Sequence, residues 1–421
     1  MKKIIASAGL VAVGAAGLQA QNYGDLTPEQ AAKRWSVSAA VRGFYDDNYT
    51  TRPSGSLKRD SFGVEISPSA QVNLPLETSF FSLSYIYSAL YFEDRDKDSW
   101  DQSHDVRLTF DHRFTERYRV NLRDQFVYSV EPTLLSQQGT VTAPLRADAE
   151  GLHNRALLTF DAELTRLWAL RLSYANDYYD YQDSGPGSYS ALLDRDEHSI
   201  RVDPRYILAP DTTVFAGYEF GYRDYLSSEF LNPLFTAPGD PRGTDRDTVS
   251  HAFYVGAEHK FTSQLTVEGR VGAKYREYTE LDENDTKPYV DVVGTYTYLP
   301  GSNVKLGVKY DNNATDVALA GSNPGDVTLD QDTVTGYLSV NHRITALLTA
   351  GLLAQYQHSV YNGGPTDGDS DDYLTMALNV AYKLHKNWTV EASYFLDYLT
   401  SDLNGRDFTR NRVFAGARFT Y

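Results

Sequence analysis

The sequence predicts an all-β chain, a transmembrane antiparallel up-and-down β-barrel of about eighteen strands (sixteen to twenty), with short turns at one end and long loops at the other. Three observations predict it. Apolar and polar residues alternate with period two from Trp35 to the last residue. The alternating stretches are much longer than the roughly 5–6 residues of an ordinary strand. The connections switch strictly between tight turns and long polar loops, which a soluble sandwich has no reason to do.

The alternation is plain in particular segments. Trp388, Val390, Ala392, Tyr394, Leu396 and Tyr398 fall on one face, with Thr389, Glu391, Ser393 and Asp397 on the other. Val106, Leu108, Phe110 and Phe114 oppose Asp105, Arg107, Thr109, Asp111 and Arg113 in the same way. Applied along the chain, the pattern places strands at roughly 35–46, 59–73, 78–93, 101–114, 117–131, 150–164, 167–181, 194–209 and 211–226. They continue at roughly 246–261, 263–279, 287–299, 302–314, 329–343, 346–361, 372–385, 387–400 and 408–421. Tight turns fall near Thr115, Pro210, Thr262, Gly301, Thr345 and Asn387, and long loops at 132–149, 227–245, 315–328 and 362–371. An even count puts both ends of the barrel region on the short-turn, periplasmic side. Closure is required because lipid offers no partner to a backbone N–H or C=O, and only a closed sheet has no open edge.

What precedes the first strand reads as an export leader. Lys2 and Lys3, an uncharged stretch from Ile4 and small residues ending at Ala20 predict a signal peptide of residues 1–20, with 21–34 a short periplasmic segment whose Thr27 and Pro28 begin a helical turn. The barrel, 35–421, is then a single domain without room for an internal plug. Cysteine is absent, which excludes disulfides and a lipid-anchored cysteine, and a formal charge of −17 argues against a nucleic-acid partner. The 32 tyrosines against two methionines favour strands and membrane interfaces. Aromatics at strand ends, such as Trp35 and Tyr45 or Trp168 and Tyr178, fit girdles at the two headgroup levels.

The last strand carries the clearest resemblance. Val413 to Tyr421 alternates small or apolar residues and ends in Phe419 and Tyr421, and on this the chain resembles the porin-like Gram-negative outer-membrane β-barrel superfamily. The resemblance implies that Phe419 and Tyr421 are the signal read by the barrel-assembly machinery and that periplasmic chaperones escort the chain. It also implies that lipid and lipopolysaccharide surround the barrel and that a homotrimer is a candidate assembly.

A barrel of this size leaves an aqueous lumen. Charges on the lipid face are costly, so the polar phase is expected to line the pore. The residues in that phase are Arg107, Arg113, Arg119, Arg123, Arg155, Arg171, Arg201, Arg205, Arg223, Arg270, Lys274 and Arg276, with Glu219, Glu268, Glu391 and Asp397 among fewer acids. Such a wall attracts anions if the basic groups are in surplus, and merely fills the lumen if each pairs with an acid across neighbouring strands. Inward aromatics read as scattered (Phe44, Phe215 and Phe395), which speaks against a sugar-specific channel. Asp124 and Pro204 fall on the outer phase, where a bulge, a strand end or a shifted phase is expected. Loop 227–245 has apolar residues, Phe230, Leu231, Leu234 and Phe235, that would seek shelter and could narrow the mouth.

Asp367, Asp369 and Asp371 alternate as Ca²⁺ loop ligands do, but without the distal bidentate Glu, so they form a weak Ca²⁺ candidate beside the plainer reading of a solvated loop. No cofactor is expected. Three function classes compete: a diffusion channel for small hydrophilic solutes with anion preference, a non-conducting surface or structural barrel whose loops bind a partner, and a barrel enzyme such as a phospholipase. The nine histidines stand beside no nucleophile motif, which disfavours the last.

Overall fold

The computed structural model describes residues 33–53, 55, 58–130, 150–315, 317 and 327–421; the leader 1–20, most of segment 21–34 and loop 132–149 lie outside them. The strands are β1 (Trp35–Asp46), β2 (Ser61–Pro75), β3 (Ser79–Phe92), β4 (Trp100–Arg113), β5 (Tyr118–Ser129) and β6 (Gly151–Glu163). They continue as β7 (Trp168–Tyr181), β8 (Arg195–Ala209), β9 (Thr212–Tyr225), β10 (Thr248–Lys260), β11 (Leu265–Tyr278) and β12 (Asn284–Leu299). The set ends with β13 (Ser302–Asn313), β14 (Asp330–Arg343), β15 (Leu348–Asn362), β16 (Ser370–Lys383), β17 (Trp388–Ser401) and β18 (Phe408–Thr420). A short helix α1 (Tyr189–Leu193) lies between β7 and β8.

Each strand pairs antiparallel with its sequence neighbours, and β1 pairs with β18, so the eighteen-stranded sheet closes on itself. The seam runs in register from Ser38 opposite Thr420 to Asp46 opposite Arg412. Closure satisfies the backbone without water, as the lipid core demands. The expected boundaries differ most at β12, which begins at Asn284 rather than 287. Its polar start still pairs with β11, Asn284 opposite Glu277, because ladder hydrogen bonds need backbone and not apolar side chains.

The two faces are those the phase predicts. Val41, Phe253 and Leu306 are 56%, 64% and 63% exposed on the outer face, where lipid would cover them. Arg42 and Glu65, paired in register on the inner face, are buried. Rings cluster at the short-turn end, with Trp35 against Tyr421 at 5.7 Å and Trp388 against Phe419 at 5.2 Å. These are amphipathic contacts suited to a headgroup level.

Three expectations need correction. Asp124 marks neither a bulge nor a strand end: it sits mid-strand with unbroken register, opposite Leu108 on β4 and Ala156 on β6, and truly faces outward. Pro204 holds its register to β7, but lacking an N–H it coincides with a gap in the β8–β9 ladder between Val202 and Arg205. Inward aromatics are not scattered. Phe44, Phe92, Phe395 and Phe414 pack into one patch, with Phe44 and Phe92 at 5.0 Å and Phe44 and Phe414 at 5.3 Å. Tyr254, Tyr278, Tyr361 and Tyr373 also point inward and donate their hydroxyls to Asp203, Asp330, Asp371 and Asp397. A buried tyrosine hydroxyl needs such an acceptor, so these rings are wall filler rather than an exposed stacking track.

Candidate functional site

The charged residues expected inside the barrel do face inward, and most are engaged with one another. Arg107 reaches Asp105 at 2.5 Å, Arg119 reaches Asp111 at 2.5 Å, Arg155 reaches Asp177 at 2.5 Å and Arg171 reaches Asp161 at 2.7 Å. Arg205 pairs with Glu258 at 2.9 Å, Arg270 with Glu268 at 2.5 Å and Arg276 with Asp330 at 2.6 Å. Arg201 binds Glu219 through its guanidinium. Glu391 joins Arg42 and Arg418, and Asp397 joins Arg412. Arg113, the last residue of β4, is exposed beside the turn.

Pairing does not consume every basic group. A cavity of about 250 Å³ is bounded by β5 through β13, one side of the ring. Its basic residues are Arg123, Arg155, Arg201, Arg223, Lys274, Arg276 and Lys309, against Asp177, Glu197, Glu219, Asp291 and Asp311. Asp311 is shared by Lys274 at 3.1 Å and Lys309 at 2.9 Å. Glu197 is shared by Arg195 at 2.7 Å and Arg223 at 3.4 Å. Arg123 has no ion pair among the described residues, and its Nε is buried without a partner. Seven basic side chains against five acidic ones leave the cavity lining net positive, although Asp291 in that lining shares one base, Arg270, with Glu268. The cavity thus gathers seven of the sixteen expected pore residues: Arg123, Arg155, Arg201, Glu219, Arg223, Lys274 and Arg276. Arg107, Arg113, Arg119, Arg171, Arg205, Arg270, Glu268, Glu391 and Asp397 lie elsewhere on the inner wall. Lys309 and Asp311 close the cavity too, and period two alone gave no reason to set them apart from other inward residues; Asn312, which also lines it, falls in the outward phase of β13.

Above these strands the long loops pack into a cap. Leu231 from the β9–β10 loop and Val327 from the β13–β14 loop are buried together, with Leu192 of α1, Leu281 and Leu329 against them. Leu231 therefore finds the shelter its sequence suggested, while Leu234 stays 83% exposed. Gly187 N–H donates to the Phe230 carbonyl at 2.8 Å, tying the α1 loop to the β9–β10 loop. Gly187 has φ +74°, and an added Cβ would lie 2.7 Å from Pro233, so this close approach needs glycine. Arg246 is fully buried at the foot of the cap, over the Tyr225 ring at 4.1 Å and donating to the Leu192 carbonyl. Burial lowers its pKa from the usual arginine range, with Arg195 and Arg223 adding to the effect.

Two loop carboxyls flank that foot. Burial pushes Asp194 up to about 6 and Asp247 up to about 7, the latter helped by Asp224 and Glu280. Each also holds a backbone N–H, Tyr181 for Asp194 and Tyr225 for Asp247. A carboxyl raised in the folded state favours the fold while neutral, and that contribution is lost as pH rises through the folded value. Amide protection of residues 225–231, corrected for intrinsic exchange, should therefore be greatest below about pH 4–5 and fall between there and pH 8. Asp247→Asn should flatten that fall; an unchanged profile would exclude Asp247 as its source.

The remaining candidates do not converge. Asp367 accepts the Gly363 N–H at 2.9 Å, whereas Asp371 accepts Tyr361 at 2.5 Å and Arg406 at 2.7 Å. Among the described residues no three acidic or histidine side chains gather to hold a metal ion. The histidines lie mainly on the outer face against hydroxyls: Tyr85 with His104 at 2.8 Å, Tyr174 with His198 at 2.9 Å and Tyr218 with His251 at 2.8 Å. Ser79 and His112 at 2.7 Å, and Thr212 and His259 at 2.8 Å, repeat the contact near the other rim. The same hydroxyl–imidazole contact thus recurs toward both rims of the wall.

A closed eighteen-stranded antiparallel sheet with an apolar outside and a charged inside defines an up-and-down β-barrel of the kind that crosses a membrane. Residues 333–421 match the family model described as "Putative beta-barrel porin 2". No curated protein matches the sequence. Solved structures similar to this chain include Acinetobacter baumannii OccAB4, at 11% identity and a TM-score of 0.45 over 94% of this chain and 100% of that one. Pseudomonas aeruginosa OccK11 (OpdR) is similar at 12% identity and a TM-score of 0.43, over 92% and 96% of the two chains. The copper transporter OprC is similar at 10% identity and a TM-score of 0.44, over 88% of this chain. This chain spans 64% of the length of OprC.

Proposed function

We propose that the protein is an outer-membrane channel for passive diffusion of small hydrophilic solutes, with a preference for anions. The observation that carries this reading is the net positive cavity bounded by β5–β13, lined by seven basic side chains against five acidic ones, in which Arg123 has no acid partner among the described residues. A surplus of basic groups along a pore wall raises the local concentration of anions and lowers that of cations. No reacting group is required of the protein, because the solute moves down its own gradient.

Conductance of the purified barrel in a planar bilayer tests the reading, with the reversal potential measured across a salt gradient. The expected result is discrete steps of current and a potential of the sign that anion movement gives. A sealed barrel would sink the channel, and a cation-signed potential would sink the selectivity.

A further inference from the structure

We propose that the cavity bounded by β5–β13 is a binding site for an open-chain polyhydroxylated monocarboxylate, an aldonate such as gluconate. The inference rests on the channel reading for its meaning in transport, while the binding stands on the cavity alone. The recess exists because one row of the inner wall is small. Leu157, Ala175, Ser199, Gly221 and Ser250 stand side by side across β6–β10, with Arg123 next in the row on β5 and Arg276 next on β11. The neighbouring row toward the long loops is charged, running through Arg155, Asp177, Glu197 and Arg223. The row toward the short turns carries Arg201 and Glu219 in register. Inward side chains stand roughly perpendicular to the sheet, so the wall recedes where they shorten between longer ones. At Gly221 an added Cβ would lie 2.5 Å from Ser250 Oγ, so even one more carbon would crowd the floor there.

The lining names the class of solute. At about 250 Å³ the cavity is just below the roughly 300–1,000 Å³ of drug-sized ligand sites, so its occupant is one small molecule. Arg123 has no acid among the described residues, whereas every other basic residue of the lining reaches one. One unmatched guanidinium suits one carboxylate, which it can hold through two parallel hydrogen bonds. The hydroxyls of Ser173, Ser199 and Ser250 face the recess with no hydrogen-bond partner among the described residues. Asp177, Glu197 and Glu219 beside them keep acceptor capacity beyond their arginines. Free hydroxyls and spare acceptors match a solute body that is itself hydroxylated, and an aliphatic chain would leave them unpaired. The inward tyrosine of the lining, Tyr289, is 2% exposed, so no open ring face is offered for a sugar ring to stack on. An open-chain polyol acid has no such face to satisfy.

Calorimetric titration of the purified barrel in detergent with sodium gluconate, sodium hexanoate and sorbitol, at equal ionic strength, tests the site. Gluconate should bind at least about tenfold more tightly than hexanoate, which has the charge and the carbon chain without the hydroxyls. It should exceed sorbitol, which has the hydroxyls without the charge, by a similar factor of about ten. Ser199→Leu, which fills the middle of the floor, should remove most of the preference for gluconate over hexanoate, with an unchanged β-sheet circular dichroism spectrum. Should that variant fail to fold, Arg123→Gln takes its place; it breaks no ion pair among the described residues and should weaken gluconate by about tenfold. Equal affinity for gluconate and hexanoate overturns the proposal, because only charge is then being read. So does equal affinity for gluconate and sorbitol, or a gluconate preference indifferent to both substitutions. Calorimetry needs no current, so the two readings fail separately. A barrel that conducts yet binds no gluconate overturns the site and leaves the channel, whereas a sealed barrel that binds it keeps the site and sinks the channel.

Discussion

Replacing Arg42 by methionine should cost the barrel about 3–5 kcal/mol, the largest stability loss expected from one side chain here. Arg42 bridges Glu65 on β2 at 2.7 Å and Glu391 on β17 at 2.5 Å, with its side chain and that of Glu65 wholly buried. Removing the guanidinium strands Glu65 without its cation, and a buried carboxylate left alone costs far more than the pair contributes. Glu391 keeps Arg418, so Glu65 bears most of the loss. Urea unfolding of the barrel refolded in lipid vesicles measures it. The double variant Arg42→Met with Glu65→Leu should recover much of the difference, because it removes the orphan; recovery of nothing would place the cost in packing instead.

Arg123→Glu should move the anion-to-cation permeability ratio by about tenfold toward cations, the factor that ~1.4 kcal/mol represents. The substitution changes the cavity charge by two units and breaks no ion pair, since Arg123 has none among the described residues. Two charges a few ångströms apart interact by roughly 1 kcal/mol in water and 4 kcal/mol at a protein-like dielectric, which brackets the expected change. Arg123→Gln should fall midway. The reversal potential reads all three proteins, and a ratio unmoved by Arg123→Glu would take this side chain out of the conducting path.

Strand number and phase were legible because lipid on one side and charge on the other impose a period of two that no side chain can ignore. Even the start of β1 at Trp35 follows from it. The pattern is silent wherever contacts join distant segments without a period. Nothing around Leu231 names Val327 or Leu192 as its neighbours, and nothing around Arg42 names Glu391. Inward tyrosines were masked for a different reason: tyrosine serves both girdle and interior, and only the facing Asp acceptors tell the two apart. Asp124 looked like an error of phase because an outward carboxylate is costly in lipid, and only the unbroken register on both sides shows that the phase is right. Which basic residues share an acid is likewise set by diagonal reach between strands, which alternation does not encode.

The seam between β1 and β18 has a consequence for how the molecule comes into being. The contacts there join residues that are nearly the whole chain apart: Asp46 of β1 bonds Arg410 of β18 across 364 positions, and Arg42 reaches past β18 to Glu391 of β17 across 349. Every other neighbour in the wall is a hairpin that can form as its own segment emerges, whereas the seam must wait until both rims have been laid down. Until then β1 and β18 are bare strand edges, open to any passing chain. The arginines and acids at that junction act as a clasp that only the two correct rims can fasten, so the step most exposed to error is also the one most strongly keyed by charge.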